Sequence, residues 1–365
     1  MTTDADPNVA TSPGGDEAPA GIAQAPSLDD DVVLEIADLK TYFYIEEGEV
    51  RAVDGVSLAA RRGRILAIVG ESGCGKSVTA YSILRLVESP GRIVGGTVTL
   101  RPRGRAPVEV TSLDEKSDLL YDVRGGLVSM IFQEPMTALS PVHTIGNQIC
   151  EAILLHRDVT PEEARARAVE MLSKVGIPGA EQRIDQYPFE MSGGMRQRVV
   201  IAMALVCQPE LLIADEPTTA LDVTIQAQVL ELIKDLRRDL GVSVVLITHD
   251  LGVVAQTADD VAVMYLGRIV EEGGVVEIMK RPLHPYTMGL LESLPSLHMQ
   301  KERLPSIRGS VPSLTEIPPG CPFHPRCDRC IEGVCDVGAP PPLEESAPGR
   351  RVACHWRKRE RGKGR

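Results

Sequence analysis

The 365-residue sequence predicts an α/β fold with a largely parallel sheet, an inserted helical subdomain and a small Pro/Cys-rich C-terminal extension. Three observations lead there. Short apolar, β-branched runs recur along the chain; amphipathic helical patterns lie between them; and "GESGCGKS" at 70–77 sits where a strand gives way to a helix.

Residues 1–28, rich in Ala, Pro, Gly, Asp and Thr, lack apolar periodicity and read as a disordered tail. From Val32 onward come the strand candidates "RILAIV" at 64–69, "GLVSMIF" at 126–132, "ELLIAD" at 210–215, "VSVVLIT" at 242–248 and "VAVMYL" at 261–266. Their continuous apolar character suits strands covered on both faces. The helical patterns are "SVTAYSILRLV" after the first of these strands, "PEEARARAVEMLSKVG" beginning at Pro161, and "TIQAQVLELIKDLRRDLG" stopping at Gly241. The stretch from about 134 to 206 is mostly helical and too long for a simple crossover, so it reads as an inserted subdomain. The α/β domain then spans 29–285. After about Pro282 the composition shifts to Pro and Cys, and 286–365 reads as a separate appendage ending in the basic run "RKRERGKGR". That run is a solvated end or a contact for anionic lipid or RNA.

Charge and composition exclude several classes. The formal net charge of −12 argues against wholesale nucleic-acid binding, although Asp4, Asp6, Asp16, Glu17, Asp29, Asp30 and Asp31 concentrate much of it in the tail. No apolar run reaches membrane-spanning length, and no basic segment followed by an apolar stretch marks a secretory signal. The eight cysteines are therefore expected in a reducing compartment, where clustering suggests metal more than disulfides.

The segment 70–77 fits G-x-x-x-x-G-K-[ST]. Gly70, Gly73 and Gly75 allow a tight turn whose N–H groups, with those of Ser72, Cys74 and Val78, point at phosphate oxygens. Lys76 then reaches the outer phosphates and Ser77 ligates Mg²⁺. About 140 residues on, "LLIADEP" puts Asp215 at the end of a buried strand, a costly place for a carboxylate unless a cation sits beside it. Glu216, next in sequence, is placed to polarise an attacking water. In "MSGGMRQR", Ser192 caps a helix while Ser192, Gly193 and Gly194 leave an anion site uncovered. Since 70–77 already holds one γ-phosphate, this surplus site suggests a second subunit.

The order phosphate loop, "FQEP", "MSGGM", "LLIADEP", "TALD" and "LITHD" resembles the ATP-binding cassette ATPases over roughly 32–282. The resemblance implies two such domains packed head to tail, each ATP held between the 70–77 loop of one and the Ser192–Gly194 segment of the other. It implies that Gln133 contacts Mg²⁺ and the lytic water and relays to a membrane partner. His249 would contact the γ-phosphate, and Asp222 would couple the two sites. Phe43 matches the aromatic that stacks on adenine, with Tyr42 or Tyr44 as alternatives and a core strand aromatic as the bland reading. Met191 and Met195 replace the commoner Leu and Gln of the signature, which would make the two composite sites unequal.

"RPLHPYTMGLLESLP" at 281–295 and "GCPFHPRCDRCIEGVC…VACHW" at 320–356 resemble the C-terminal extension of oligopeptide and dipeptide importer ATPases, whose members also serve nickel and other small solutes. That implies one of two different ATPase subunits on the cytoplasmic side of the cell membrane. Its partners would be two transmembrane permease subunits and an extracytoplasmic peptide-binding protein. An exporter ATPase and a soluble cassette acting on ribosomes or DNA are the rival readings. Four soft thiolates suit an iron–sulfur cluster or Zn²⁺, with free or oxidised thiols as the third reading; the resemblance favours [4Fe–4S] on Cys321, Cys327, Cys335 and Cys354, with Cys330 extra or a substitute for Cys327 or Cys335. Cys74, Cys150 and Cys207 read as structural, Cys74 being expected to meet thiol reagents when ATP is absent.

Overall fold

The computed structural model describes residues 31–133, 138–219, 222–294 and 307–363. The tail expected at 1–28 lies outside them. Five of the described strands coincide with the apolar runs: β3 (Ile65–Val69), β6 (Val128–Ile131), β7 (Leu211–Asp215), β8 (Ser243–Thr248) and β9 (Asp260–Tyr265). They pair in parallel, in the order β9-β3-β8-β7-β6.

Their apolar continuity has a direct cause. In β3, Ile65, Ala67 and Val69 face the core shared with the helical subdomain, while Leu66 and Ile68 face a second core on the opposite side. With period-2 alternation and both faces covered, every position must be apolar. Full burial of Ile68 contributes about 1.5–3 kcal/mol in transfer free energy.

The second core is roofed by an antiparallel sheet that apolar continuity does not announce. Its strands are β1 (Val32–Ile45), β2 (Gly48–Arg61), β4 (Gly91–Leu100) and β5 (Val108–Glu109), in the order β2-β1-β4-β5. Only one face of these strands is buried, and the β1–β2 register shifts at several points, so apolar and polar residues mix.

Helices Ile145–His156, Pro161–Lys174 and Gly193–Leu205 form the inserted subdomain, packing Ile149, Ile153, Ala168, Leu172 and Ile201 into the first core. Pro161 begins its helix as expected, preceded by a Thr160–Glu163 capping box. The long helix Val223–Leu240 ends at Gly241, whose φ of +67° supplies the left-handed stop.

The extension is joined to the sheet rather than standing apart. Beyond β9 the order runs β10 (Arg268–Gly274), then β12 (Arg350–Val352), then β11 (Glu344–Ala347), all antiparallel. Arg350, buried, donates to the fully buried Glu271 at 3.0 Å, and Glu271 also accepts the N–H groups of Leu283 and His284. Among the described residues no helix is long and apolar enough to cross a membrane.

Candidate functional site

The loop between β3 and helix Lys76–Ile83 has the backbone its glycines allow. Gly73 and Gly75 take φ of +78° and +103°, and a Cβ on Gly75 would lie 2.0 Å from the Ala52 carbonyl oxygen. Lys76 Nζ donates to the carbonyls of Gly70 at 2.9 Å and Glu71 at 3.0 Å, which folds the lysine back over the loop. Cys74 departs from expectation. Its side chain is only 2% exposed, packed beneath the loop near Met264, and burial raises its thiol pKa, so the sulfur is not open to thiol reagents.

Asp215 ends β7 wholly buried, and among the described residues neither carboxylate oxygen has a partner at full hydrogen-bond geometry, the Ser77 hydroxyl lying close enough only to oppose the rise in its pKa. Burial raises its pKa, adjacent Glu216 adds to the shift, and Ser77 and Lys76 oppose it. An orphaned buried carboxylate beside a serine hydroxyl at the phosphate loop fits a hard divalent cation. The residues for Mg²⁺ are therefore at hand in Ser77 and Asp215.

Glu216 turns out of the strand with φ of +46°, a left-handed value uncommon for a side-chain-bearing residue. Its Oε2 accepts from Thr219 Oγ1 at 3.0 Å and its Oε1 lies 3.1 Å from His249 Nδ1. A cavity of about 380 Å³ brings Glu216 and His249 together with Gly70, Ser72, Gln133 and, from the extension, Leu290. Three residues scattered over 133–249 thus face the phosphate loop across one space.

The signature segment is not part of that cavity. Ser192 is exposed and caps its helix by accepting from Met195 N–H at 3.4 Å, leaving Gly193 and Gly194 partly open. Asp222 caps the helix Val223–Leu240, accepting from Thr224 and Ile225 at 3.0 Å each. Sequence reasoning missed Gln197, wholly buried, whose Nε2 donates to the Pro217 carbonyl at 2.7 Å and ties the signature helix to the residue after Glu216. Nothing in the sequence marks that position, since Gln197 stands between Arg196 and Arg198.

The three aromatic candidates separate clearly. Tyr42 donates its hydroxyl to Asp54 at 2.7 Å and underlies Arg51. Phe43 is half-buried beside Gly91, and Tyr44 is 48% exposed.

In the extension all five cysteines are unbridged. Cys335 Sγ accepts the Ile331 backbone N–H at 3.4 Å. Cys330 is exposed and interacts with the Cys335 side chain. Burial, then neighbouring thiols, pushes Cys321 up to about 12, and burial with adjacent acid and thiol groups does the same to Cys327. Among the described residues no three His, Cys, Asp or Glu side chains are arranged to hold a metal ion.

The extension's other motif residues reach the phosphate loop. Tyr286 accepts the Glu71 N–H at 2.9 Å, and Arg326 makes a two-pronged pair with the Glu71 carboxylate at 2.7 and 3.0 Å. His284 caps the helix Pro285–Glu292 through Nδ1; full burial pushes its pKa down to about 3, so it stays neutral.

Residues 53–219 match the family described as ABC transporter, and 270–335 match the oligopeptide/dipeptide transporter C-terminal region. The chain is 53% identical over 332 residues to a protein of Sinorhizobium fredii named "Probable peptide ABC transporter ATP-binding protein", covering 90% of this chain and 96% of that one. It is 50% identical over 323 residues to the oligopeptide transport ATP-binding protein AppD of Bacillus subtilis (88% and 96%), and 46% over 324 residues to OppD of Escherichia coli (89% and 93%). Among solved structures it resembles a dimeric ATP-binding cassette in a post-hydrolysis state with ADP and phosphate, with TM-score 0.57 and 27% identity over 66% of this chain and 98% of that one.

Proposed function

The chain belongs to the ABC transporter ATPases that carry the oligopeptide/dipeptide C-terminal region, and on that premise we propose that it hydrolyses ATP to drive uptake of di- and oligopeptides. The observation that carries the chemistry is the single cavity joining the phosphate loop to Glu216, His249 and Gln133, with the orphaned Asp215 carboxylate beside Ser77.

The roles follow from placement. The N–H groups of Gly73 to Val78 and the Lys76 ammonium neutralise the phosphates. Mg²⁺, when bound at Ser77, Asp215 and Gln133, supplies Lewis-acid charge neutralisation. Glu216 takes a proton from the water that attacks the γ-phosphate, and His249, hydrogen-bonded to it, holds that carboxylate and faces the same phosphate. Phe43 is proposed as the adenine platform, since Tyr42 is engaged by Asp54.

Ser192, Gly193 and Gly194 lie outside this cavity, which supports a site completed by a second ATPase subunit, with Asp222 near the seam. A different cassette protein is proposed for that subunit. The Tyr187–Phe189 pair, stacked at 5.5 Å with Phe189 69% exposed, lies just before the signature and suits an apolar contact with a permease. Cytoplasmic-side attachment to two permease subunits, served by an extracytoplasmic peptide-binding protein, is the arrangement this reading requires. Domain limits of 29–285 and 286–365 are proposed, with β12 of the second part hydrogen-bonded to β10 of the first.

For the extension we propose a [4Fe–4S] cluster on Cys321, Cys327, Cys335 and Cys354. What supports this reading is four cysteines in one short extension and the Ile331 N–H given to Cys335 Sγ at 3.4 Å, a donor of the kind that stabilises a metal-bound thiolate; a cluster would have to draw together sulfurs that are not grouped for a metal among the described residues. The test of function is ATP-dependent peptide uptake by proteoliposomes holding the permease and both ATPases. Uptake that persists with Glu216→Gln, or a cargo other than peptide, contradicts it.

A further inference from the structure

Arg326 and Tyr286 lie outside the 53–219 segment matched as the cassette, yet both end on one residue of the phosphate loop. Glu71 has three polar groups, and each is held. Its carboxylate takes both prongs of Arg326 at 2.7 and 3.0 Å, its N–H donates to the Tyr286 hydroxyl at 2.9 Å, and its carbonyl accepts from Lys76 Nζ at 3.0 Å. The first two partners belong to the extension and the third is the phosphate-binding lysine.

The clamp is built into a packed base. Arg326 is only 4% exposed and donates Nε to the Arg308 carbonyl, while its guanidinium lies 5.9 Å from the ring centres of Tyr265 and Phe323. Tyr265, Tyr286 and Phe323 meet at 4.7 to 5.3 Å, and Tyr265 is the last residue of β9, next to β3. Cys321 and Cys327 flank the turn that carries Phe323 and Arg326.

We propose that Arg326 and Tyr286 are positioning residues of the ATP site, acting through Glu71 to hold the phosphate loop in the ordered turn that receives nucleotide. Two physical effects operate. A glycine-rich loop loses much backbone entropy when it orders around phosphates, and a clamp that orders it beforehand removes that cost from binding. A carboxylate facing a triphosphate repels it, and the bidentate guanidinium cancels that charge. The cysteine-bearing turn, by carrying Arg326, is thereby part of the nucleotide site. The proposal rests on the ATPase reading above.

The test is equilibrium binding of radiolabelled MgATP to the full chain, with steady-state ATPase of the assembled complex. Arg326→Ala is expected to weaken ATP affinity roughly tenfold and raise KM while kcat changes little; Arg326→Lys recovers part of the loss. Tyr286→Phe, which keeps the ring packing and removes only the hydroxyl, gives about a threefold loss. In a Glu71→Gln background, Arg326→Ala has less than about a twofold further effect, because the charge it balances is gone. Unchanged affinity in a folded Arg326→Ala protein overturns the proposal, as does an equal loss in both backgrounds. Failure of the parent chain to bind ATP would instead overturn the ATPase reading.

Discussion

His249 Nδ1 stands 3.1 Å from Glu216 Oε1, and Thr219 Oγ1 holds the other carboxylate oxygen at 3.0 Å. The carboxylate is thus held at both oxygens. His249 is 64% exposed and sits on the loop after β8, so its removal leaves the core untouched. His249→Ala is expected to lower kcat about 100-fold or more, with ATP affinity within a few-fold of the parent, as read by steady-state hydrolysis in the assembled complex and by nucleotide binding. A kcat within threefold contradicts the role.

Gly75→Ala tests the phosphate loop sterically. At φ of +103° the new methyl is strained, and it would lie 2.0 Å from the Ala52 carbonyl oxygen, which is backbone of β2 and cannot swing away. Nucleotide binding should fall below detection, and thermal unfolding should occur at a lower temperature than in the parent. A parent-like Kd would contradict the loop geometry.

Asp54 carries a pH-dependent part of the stability. Burial works against its charge, but the Tyr42 hydroxyl and the Arg268 guanidinium, 2.6 Å away, outweigh it and hold the carboxyl below its ordinary range. A pKa lowered by folding means that the contribution is present above the unfolded value of about 3.9 and is lost as pH falls through the folded value. Asp54→Asn should therefore cost about 2 kcal/mol at pH 7 in denaturant unfolding. The difference from the parent should shrink below about pH 4. A gap that widens in acid would contradict the assignment.

The cysteine proposal separates one residue from four. Cys321→Ser, Cys327→Ser, Cys335→Ser and Cys354→Ser should each strip iron and visible absorbance from anaerobically purified protein, whereas Cys330→Ser should retain both. The reason is exposure: Cys330 lies open at the surface, whereas Cys321 and Cys335 are buried and Cys327 and Cys354 half-buried. Parent protein without iron, or iron retained in all of the first four variants, contradicts it.

Much of this site was legible in the sequence because its parts are local. A strand covered on both faces writes an unbroken apolar run, as Ile65–Val69 and Leu211–Asp215 do, and the chemistry sits at the ends of those runs. The roofing sheet was less legible. Its strands β1 and β2 are each covered on one face and broken by bulges, so their period blurs. The clamp on Glu71 was not legible, because it joins positions 215 and 255 residues apart and its carboxylate resembles any exposed loop acid. Cys74 misled for the opposite reason: a loop that must open to phosphate suggested an open thiol, yet the same tight turn drives that side chain inward.

Whether Glu216 is the base in an ATP-hydrolysing cavity is decided by a single-turnover measurement on the assembled transporter carrying Glu216→Gln. Glutamine keeps the shape and the hydrogen bond to Thr219 but cannot take a proton at neutral pH. ATP binding should persist within a few-fold, and cleavage of the bound γ-phosphate should slow by about 100-fold or more. Cleavage at close to the parent rate would rule Glu216 out as the base.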